Sequence, residues 1–415
     1  MALTNWAGTV AFTPTETLLP RTVEEAQEMV AASQRIRALG TGHSFNPLAD
    51  SAALISMRAV DLPFELDEEA RTVTVPGAAP YGAVAGFLQE RGWALHNLGS
   101  LPHISVAGAT STGTHGSGDG NGILATAVRG VERIGAGGEL TWVRAGDPDF
   151  EGSVVALGAL GITTRLTFAV EPTYDVTQHI YTDLPWHRLL DDLDDVTGAA
   201  YSVSVLGRWD EPTLSTLWLK SRDDDAEPAA DRFGAALQGP RVGAIADGGS
   251  PDDNLTPIGT RGPWATRLAH FRFDREPSAA GEEIQSEYFV PRHHAADALR
   301  AVRGLAGRID PLLHVSEFRT IAGDDLWLSG GEGGPRLGIH FTWRKLPDDV
   351  ARLLPVIEEA LAPFSPRAHW GKLYGDGFDQ RAAYRRVPDF VALMSRVDPS
   401  GVFRAPHLDR ALRIA

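Results

Sequence analysis

The chain of 415 residues contains no cysteine. This absence excludes disulfides, thiolate catalysis and cysteine-ligated metals. Any covalent bond to a cofactor must therefore be formed by histidine or by another residue without sulfur. No apolar run is long enough to cross a bilayer, and the start, Met1-Ala2-Leu3-Thr4, lacks the basic and apolar regions of a signal peptide. We expect a cytoplasmic protein with no membrane partner.

Positive charge is also scarce. Lysine and arginine total 38 against 54 acidic residues, which gives a formal net charge of −16. Such a surface repels nucleic acid and anionic membranes, so neither is an expected partner and a small neutral substrate suits the chain better. The length is enough for two domains with a large core, and we expect a monomer.

Glycine is abundant, and it concentrates first around a histidine in Leu39-Gly40-Thr41-Gly42-His43-Ser44-Phe45. This run follows a strand predicted at 36–39. Its glycines leave backbone amides bare, as a loop that binds phosphate requires. A histidine in such a turn has no phosphate-binding role that a lysine would not serve better. We therefore interpret His43 as a point of covalent attachment for a flavin.

Two further glycine-rich segments follow, one from Gly99 to Gly118 and one from Leu157 to Thr163. Several phosphate-binding loops in one region indicate a long cofactor with two phosphates. The chain lacks a usable Gly-X-Gly-X-X-Gly fingerprint that opens a helix, and it contains no Gly-Lys-Ser/Thr. Nicotinamide and ATP chemistry are therefore poor candidates.

The order of these segments resembles that of the vanillyl-alcohol-oxidase type of FAD flavoproteins, above all its alditol (xylitol) oxidases. The resemblance implies that the chain binds FAD and that the flavin is attached covalently through His43. It also implies cofactor contacts from Gly40, Thr41, Gly42, His43, Ser44, Phe45, Ser105, Gly108, Thr110, Gly113, Thr114, His115, Gly116, Gly161, Ile162 and His369.

Two alternating segments in the second half of the chain carry polar residues on one face. In 314–320 a period of two places Glu317 and Arg319 together, and in 338–344 it does the same for His340 and Thr342. The pattern by itself is equally typical of a solvated cross-strand pair. The resemblance assigns these four residues to substrate binding, and it adds Ser105, Gln285 and, from the run His369-Trp370-Gly371-Lys372, the lysine.

A polyol fits such a set, because many hydroxyls need donors and acceptors rather than a countercharge. The expected reaction is oxidation of a terminal CH–OH to an aldehyde, with His340 or Lys372 as the base and Glu317 and Arg319 beside them. Intrinsic basicity favours the histidine, but a desolvated lysine is an equal candidate. Reoxidation by dioxygen, with release of hydrogen peroxide, is implied by the resemblance alone.

The expected fold is α+β, with a two-domain FAD-binding architecture and a substrate-binding cap built on an antiparallel sheet. We place the amino-terminal part of the FAD-binding domain at 1–172, the cap at 173–365 and a returning carboxyl-terminal segment at 366–415. Helices are predicted at 22–32, where a capping box begins at Thr22, and at 81–90, 291–305 and 347–362. A strand is predicted at 163–170, and 222–261 is expected to be rich in loops.

Three other functions remain open from the sequence. A sugar-lactone oxidase or dehydrogenase of the same fold would share the glycine-rich loops. A metal-dependent hydrolase would use His96, His103 and His115, although no His-Glu-X-X-His pair is present and we expect no metal. A non-catalytic sugar-binding protein would stack sugars on tryptophan, for which the candidates are Trp93, Trp327, Trp343 and Trp370.

Overall fold

The structure is a computed structural model that describes residues 3–222, 227–238, 255–275 and 282–414. Its strands are β1 Glu16–Leu18, β2 Ile36–Ala38, β3 Ala53–Ile55, β4 Glu65–Asp67, β5 Thr72–Pro76, β6 Trp93–Ala94, β7 Val128–Ile134, β8 Leu140–Arg144, β9 Ile162–Ala169, β10 Glu171–Pro172, β11 Asp175–Pro185, β12 Ser202–Gly207, β13 Thr213–Arg222, β14 Asp231–Arg232, β15 Ala235–Leu237, β16 Gly262–Pro263, β17 Glu283–Pro291, β18 Leu313–Ile321, β19 Arg336–Arg344 and β20 Arg367–Ala368. Its α-helices are α1 Val23–Ala32, α2 Tyr81–Gln89, α3 Val106–Ser111, α4 Phe150–Val154, α5 Trp186–Asp191, α6 Leu193–Thr197, α7 Ala295–Arg303, α8 Ala306–Ile309, α9 Pro347–Leu361, α10 Gln380–Ala383, α11 Val387–Val397 and α12 Pro406–Leu412.

Three sheets lie in the described amino-terminal part, one of them the short antiparallel pair of β6 and β10. Strands β1, β3 and β2 form a parallel sheet in that order, and β4, β5, β9, β7 and β8 form an antiparallel one. The glycine-rich turn with His43 follows β2 directly, so the parallel sheet presents it at one edge. The second glycine-rich segment contains α3, and the third leads into β9.

The second half of the chain is built on one antiparallel sheet. Its described strands are ordered β14, β15, β11, β13, β12, β18, β19, β17 and β20, with β16 also paired to β11. One face of β18, β19 and β17 is apolar and packs with helices α7 and α9, because alternate residues such as Phe318, Phe341 and Tyr288 share that face. The other face carries polar side chains. The α+β fold with an antiparallel sheet in its second half is confirmed.

Most of the predicted elements form within one or two residues of their expected ends, with two differences. Thr22 caps α1 by accepting from Glu25 N, but the Glu25 carboxylate accepts from Arg21 N rather than completing the box at Thr22. Of the helix expected from 291, residues Arg292–His294 form a 3-10 turn and the α-helix begins at Ala295, since Pro291 still belongs to β17 and pairs with Arg336. Part of the 222–261 stretch lies outside the described residues.

The carboxyl-terminal residues pack against the amino-terminal part. Phe390 and Leu408 share a buried cluster with Val84 and Leu98, and Phe403 joins one with Ile36. This packing supports the return of the last segment to the cofactor-binding side. The domain boundaries themselves stay a prediction.

Candidate active site

A cavity of about 530 Å³ lies between the glycine-rich segments and the polar face of the antiparallel sheet. This volume is within the range of roughly 300–1,000 Å³ typical of ligand pockets. Its wall includes most of the predicted cofactor contacts: Gly40, Thr41, Gly42, His43, Ser44, Phe45, Ser105, Gly108, Thr114, His115, Gly161 and His369. It also includes every predicted substrate contact: Ser105, Gln285, Glu317, Arg319, His340, Thr342 and Lys372.

Four predicted cofactor contacts do not line this cavity: Thr110, Gly113, Gly116 and Ile162. The side chain of Ile162 joins an apolar cluster, since strand alternation turns it away from Thr163, which does line the cavity. A Cβ at Gly116 would lie 2.4 Å from Leu98 O, so this glycine allows a close approach of two chain segments. As contacts of the cofactor, these four residues stay a prediction.

The glycine-rich side of the cavity offers bare backbone at places where a side chain would not fit. Gly42 has φ +71° and Gly161 has φ +136°, both in the left-handed region that favours glycine. A Cβ at Gly40 would lie 2.6 Å from Ser105 Oγ. The first and second glycine-rich segments therefore meet closely, and their backbone forms a cradle that suits a cofactor with phosphate groups.

His43 is held with one ring nitrogen unused. Its Nδ1 is buried and has no hydrogen-bond partner, and its ring stacks on Trp6 with centroids 5.3 Å apart and planes inclined by 19°. Burial, helped by nearby His103, lowers the pKa of His43 to about 4. A neutral imidazole with a free lone pair is the form that can act as a nucleophile, so the residue fits a covalent link to a flavin.

The opposite wall is a row of charged side chains across three neighbouring strands. Cα pairing places His340 of β19 between Glu317 of β18 and Glu287 of β17. In the next row, Thr342 lies beside Gln285. The period of two that predicted one polar face on β18 and β19 is confirmed by this register.

Glu287 connects these rows to the rest of the site, and sequence reasoning did not single it out. Its carboxylate accepts from Lys372 Nζ at 2.6 Å and from His115 Nε2 at 3.1 Å, and it lies 3.5 Å from Arg319 Nη2. Although burial opposes it, the proximity of Lys372 and His115 holds the pKa of Glu287 well below its usual range. The sequence did carry a signal for Glu287, because the polar residues 283, 285 and 287 alternate along β17. In the structure all three line the cavity.

Lys372 is positioned by two loops. Asn46 Nδ2 donates to the carbonyls of Trp370 and Lys372, and Phe45 N donates to Gly371 O. The turn that carries His43 is thus joined to the turn that carries the lysine. Lys372 Nζ then reaches His340 Nδ1 at 2.7 Å, and His340 Nε2 lies 3.1 Å from Thr342 Oγ1.

The pKa values of the lysine and the histidine are both displaced. Burial, reinforced by the charge of Lys372, lowers the pKa of His340 to about 4. Burial also lowers the pKa of Lys372, although Glu287 opposes this effect. The histidine is therefore neutral at pH 7, and the lysine loses its proton more readily than an exposed lysine.

We expect Glu287→Gln to destabilise the protein by about 3–5 kcal/mol, because it leaves buried cations without their carboxylate. Glu283→Gln is the matched control on the same face of the same strand, since burial raises the pKa of Glu283 and an amide replaces it at little cost. Chemical denaturation measures the free energy of unfolding of both variants. The pKa of Glu287 is lower in the folded than in the unfolded protein, so its ionised carboxylate stabilises the fold at pH values above the unfolded pKa of about 4.3. The difference in unfolding free energy between wild type and Glu287→Gln should therefore shrink as the pH falls below that value. Equal losses in the two variants would contradict this account.

The alternative sites are not assembled. No group of three histidine or acidic residues with metal-ligand geometry occurs in the described ranges. His96, His103 and His115 have different partners, which are Thr126, Phe273 and Glu287 respectively. None of the four tryptophans expected to stack on sugars lines the cavity, and Trp343 and Trp370 are buried in the core. Among the described helices, none has the length and apolar character needed to cross a membrane.

Comparison with known proteins gives matches on both sides of the cavity, the glycine-rich side and the side of the polar sheet. Residues 14–144 match the family model described as FAD binding domain, and residues 280–411 match the one described as D-arabinono-1,4-lactone oxidase. An alditol oxidase from a Streptomyces strain is 43% identical over 411 residues, which cover 97% of each chain. The chain belongs to the alditol oxidase family of FAD flavoproteins.

Two more distant matches cover nearly the whole chain. An L-gulono-1,4-lactone dehydrogenase of Mycobacterium tuberculosis is 26% identical and covers 98% of each chain. A cholesterol oxidase from B. sterolicum superimposes with a TM-score of 0.79 at 15% identity, covering 99% of this chain and 96% of the other. The second likeness concerns the fold alone. As a family member the chain is an FAD-dependent oxidoreductase.

Proposed function

We propose that the protein oxidises the terminal CH–OH of an alditol of the xylitol, sorbitol or glycerol class to an aldehyde. FAD attached through His43 would accept the hydride, and dioxygen would be the final acceptor and yield hydrogen peroxide. The observation that carries this proposal is one cavity in which a flavin-type cradle on one wall faces Glu317, Arg319 and Lys372 on the other. We expect this monomeric enzyme to work in the cytoplasm.

The polar wall is suited to hydroxyl groups rather than to a charged substrate. The carboxylates of Glu317 and Glu287 are each matched by basic neighbours, so these charges are balanced within the wall. Thr342, Gln285 and Ser105 add side chains that can both donate and accept. A site of this kind rejects compounds that lack the matching hydroxyls, because its own buried polar groups would lose their partners.

The proposed base is the Lys372–His340 pair after loss of one proton. While Glu287 keeps the lysine protonated, Lys372 donates to His340 Nδ1, so the neutral ring carries its proton on Nε2 and cannot accept another there. When the lysine is neutral, His340 Nδ1–H donates to it, and Nε2 becomes free to accept the proton of the substrate hydroxyl. Bound FAD would supply the hydride acceptor.

An absorption spectrum before and after acid precipitation, followed by anaerobic addition of xylitol, tests the proposal. We expect a yellow protein whose colour stays with the precipitate and, in a native sample, bleaches with xylitol. Readmitted air should restore the colour and generate peroxide. L-gulono-1,4-lactone is the comparison substrate, because relatives named for lactones share the fold. Bleaching by the lactone but not by xylitol, sorbitol or glycerol would overturn the proposed substrate class.

A further inference from the structure

His270 approaches the substrate wall from outside its three strands. It lies in the described segment 255–275 and lines the cavity. Its Nε2 lies 2.9 Å from Glu317 Oε1, and its ring centroid is 4.7 Å from that of Trp218. No periodic pattern of the sequence connects it with β18, so only the folded chain brings this ring against the carboxylate.

A buried lysine stands directly behind the histidine. Lys220 of β13 is 1% exposed, and its Nζ lies 2.5 Å from Leu268 O, 2.9 Å from Ala269 O and 3.3 Å from His270 Nδ1. An ammonium group has three N–H donors. In the charged form of Lys220 all three are used, two to hold the backbone of the segment and one to reach the imidazole.

This arrangement decides which nitrogen of His270 carries the proton. Nε2 faces the ionised Glu317 carboxylate, which can only accept, so the proton of the neutral ring is on Nε2 and Nδ1 accepts from Lys220. Burial lowers the pKa of Lys220 to about 7, and its charged form is the one that fixes this tautomer from both sides. Burial together with the nearby Lys220 lowers the pKa of His270 to about 4, which agrees with a neutral ring. Nε2–H can then donate to Glu317 Oε1 and hold that carboxylate in one orientation.

We propose that His270 is a positioning residue that aims Glu317 at a substrate hydroxyl, and that Lys220 holds His270 in the tautomer required for this. The inference rests on the proposed function, since it assumes that Glu317 binds the alditol. Arg319 Nε lies 3.5 Å from Glu317 Oε2. The carboxylate is therefore held from two sides and meets the substrate without reorganising.

Two amide substitutions separate this role from simple packing. The amide nitrogen of His270→Gln can occupy the place of Nε2 and donate to Glu317, whereas that of His270→Asn corresponds to Nδ1 and cannot reach it. We expect His270→Asn to raise the KM for xylitol roughly 10- to 100-fold, the effect of losing one hydrogen bond to a charged group. We expect kcat to change less than about threefold, and His270→Gln to restore most of the affinity.

Lys220→Met tests the second half of the inference. Like His270→Asn, it should raise the KM for xylitol. The KM of the double variant should not exceed that of His270→Asn alone, because both changes remove the same interaction with Glu317. His187→Asn, at an exposed histidine of α5, is the control for substitution elsewhere. Flavin absorbance per protein should equal that of wild type in the His270 variants, which shows that the cofactor side is intact.

The possible results are distinct. An unchanged KM in His270→Asn, or an equal defect in His270→Gln, overturns the positioning role. Additive effects of Lys220→Met and His270→Asn overturn the role of the lysine. If Lys220→Met does not fold, the contrast between the two amides still decides the role of His270. Failure of wild-type protein to oxidise any alditol would instead refute the proposed function.

Discussion

The variant His43→Ala should contain no acid-stable flavin. Its precipitate in acid should be colourless, while the wild-type precipitate should stay yellow and fluoresce after denaturing electrophoresis. The physical reason is that His43 Nδ1 is buried in the cavity wall without a hydrogen-bond partner, and the chain has no cysteine that could form the bond instead. The folded variant should bind added FAD only reversibly.

His103→Ala is the control for this experiment, because His103 is near enough to affect the pKa of His43 but has a separate contact with Phe273. It should retain the covalent flavin. Mass spectrometry of the proteolysed wild-type protein should find the added flavin mass on the peptide that contains His43. Flavin that stays bound to His43→Ala through acid treatment would place the link at another residue.

Lys372→Met should lower kcat/KM for xylitol by about 10²- to 10⁴-fold, the usual contribution of a positioned acid–base group. The lysine touches both Glu287 and His340, so its loss removes part of the proposed base together with the group that sets the tautomer of the imidazole. Lys345→Met is the matched control, since Lys345 does not line the cavity. Its kinetic constants should be those of wild type.

The pH profile gives this prediction a second readout. The proposed active form of the Lys372–His340 pair lacks one proton, so wild-type kcat/KM should rise with pH and then level off. Its midpoint should lie below the ordinary lysine pKa of about 10.4, because burial lowers the pKa of Lys372. This limb should be absent from Lys372→Met. A variant with the wild-type profile and rate would exclude the lysine from proton transfer.

Patterns that depend on near neighbours along the chain predicted much of the site. The glycine-rich turn before His43 and the period of two in β18 and β19 are local features, so Glu317, Arg319, His340 and Thr342 could be placed on one face without coordinates. The same rule extended to β17 would have included Glu287. Gln285 and Lys372 came from the family resemblance, and both line the cavity.

Other parts of the site had no local signal. Thr110 and Gly116 lie in a glycine-rich segment that looks uniformly suited to a cofactor, yet only some of its residues line the cavity. Which ones do so depends on how α3 and its flanking turns pack against the rest of the chain. The contact of His270 with Glu317 joins residues 47 positions apart and has no periodic relation to the strands.

By itself, the sequence determined the kind of chemistry. The absence of cysteine, the scarcity of positive charge and the glycine-rich loops around one histidine limit which side chains a site can contain. These limits hold however the chain folds, because they depend only on which residues are present. Tertiary structure alone decided the arrangement. Strand register placed His340 between Glu317 and Glu287, and loop packing brought Lys372 and His270 to opposite ends of that row. Protonation states follow from burial and charge within a few ångströms, so they could be assigned only once the chain was folded.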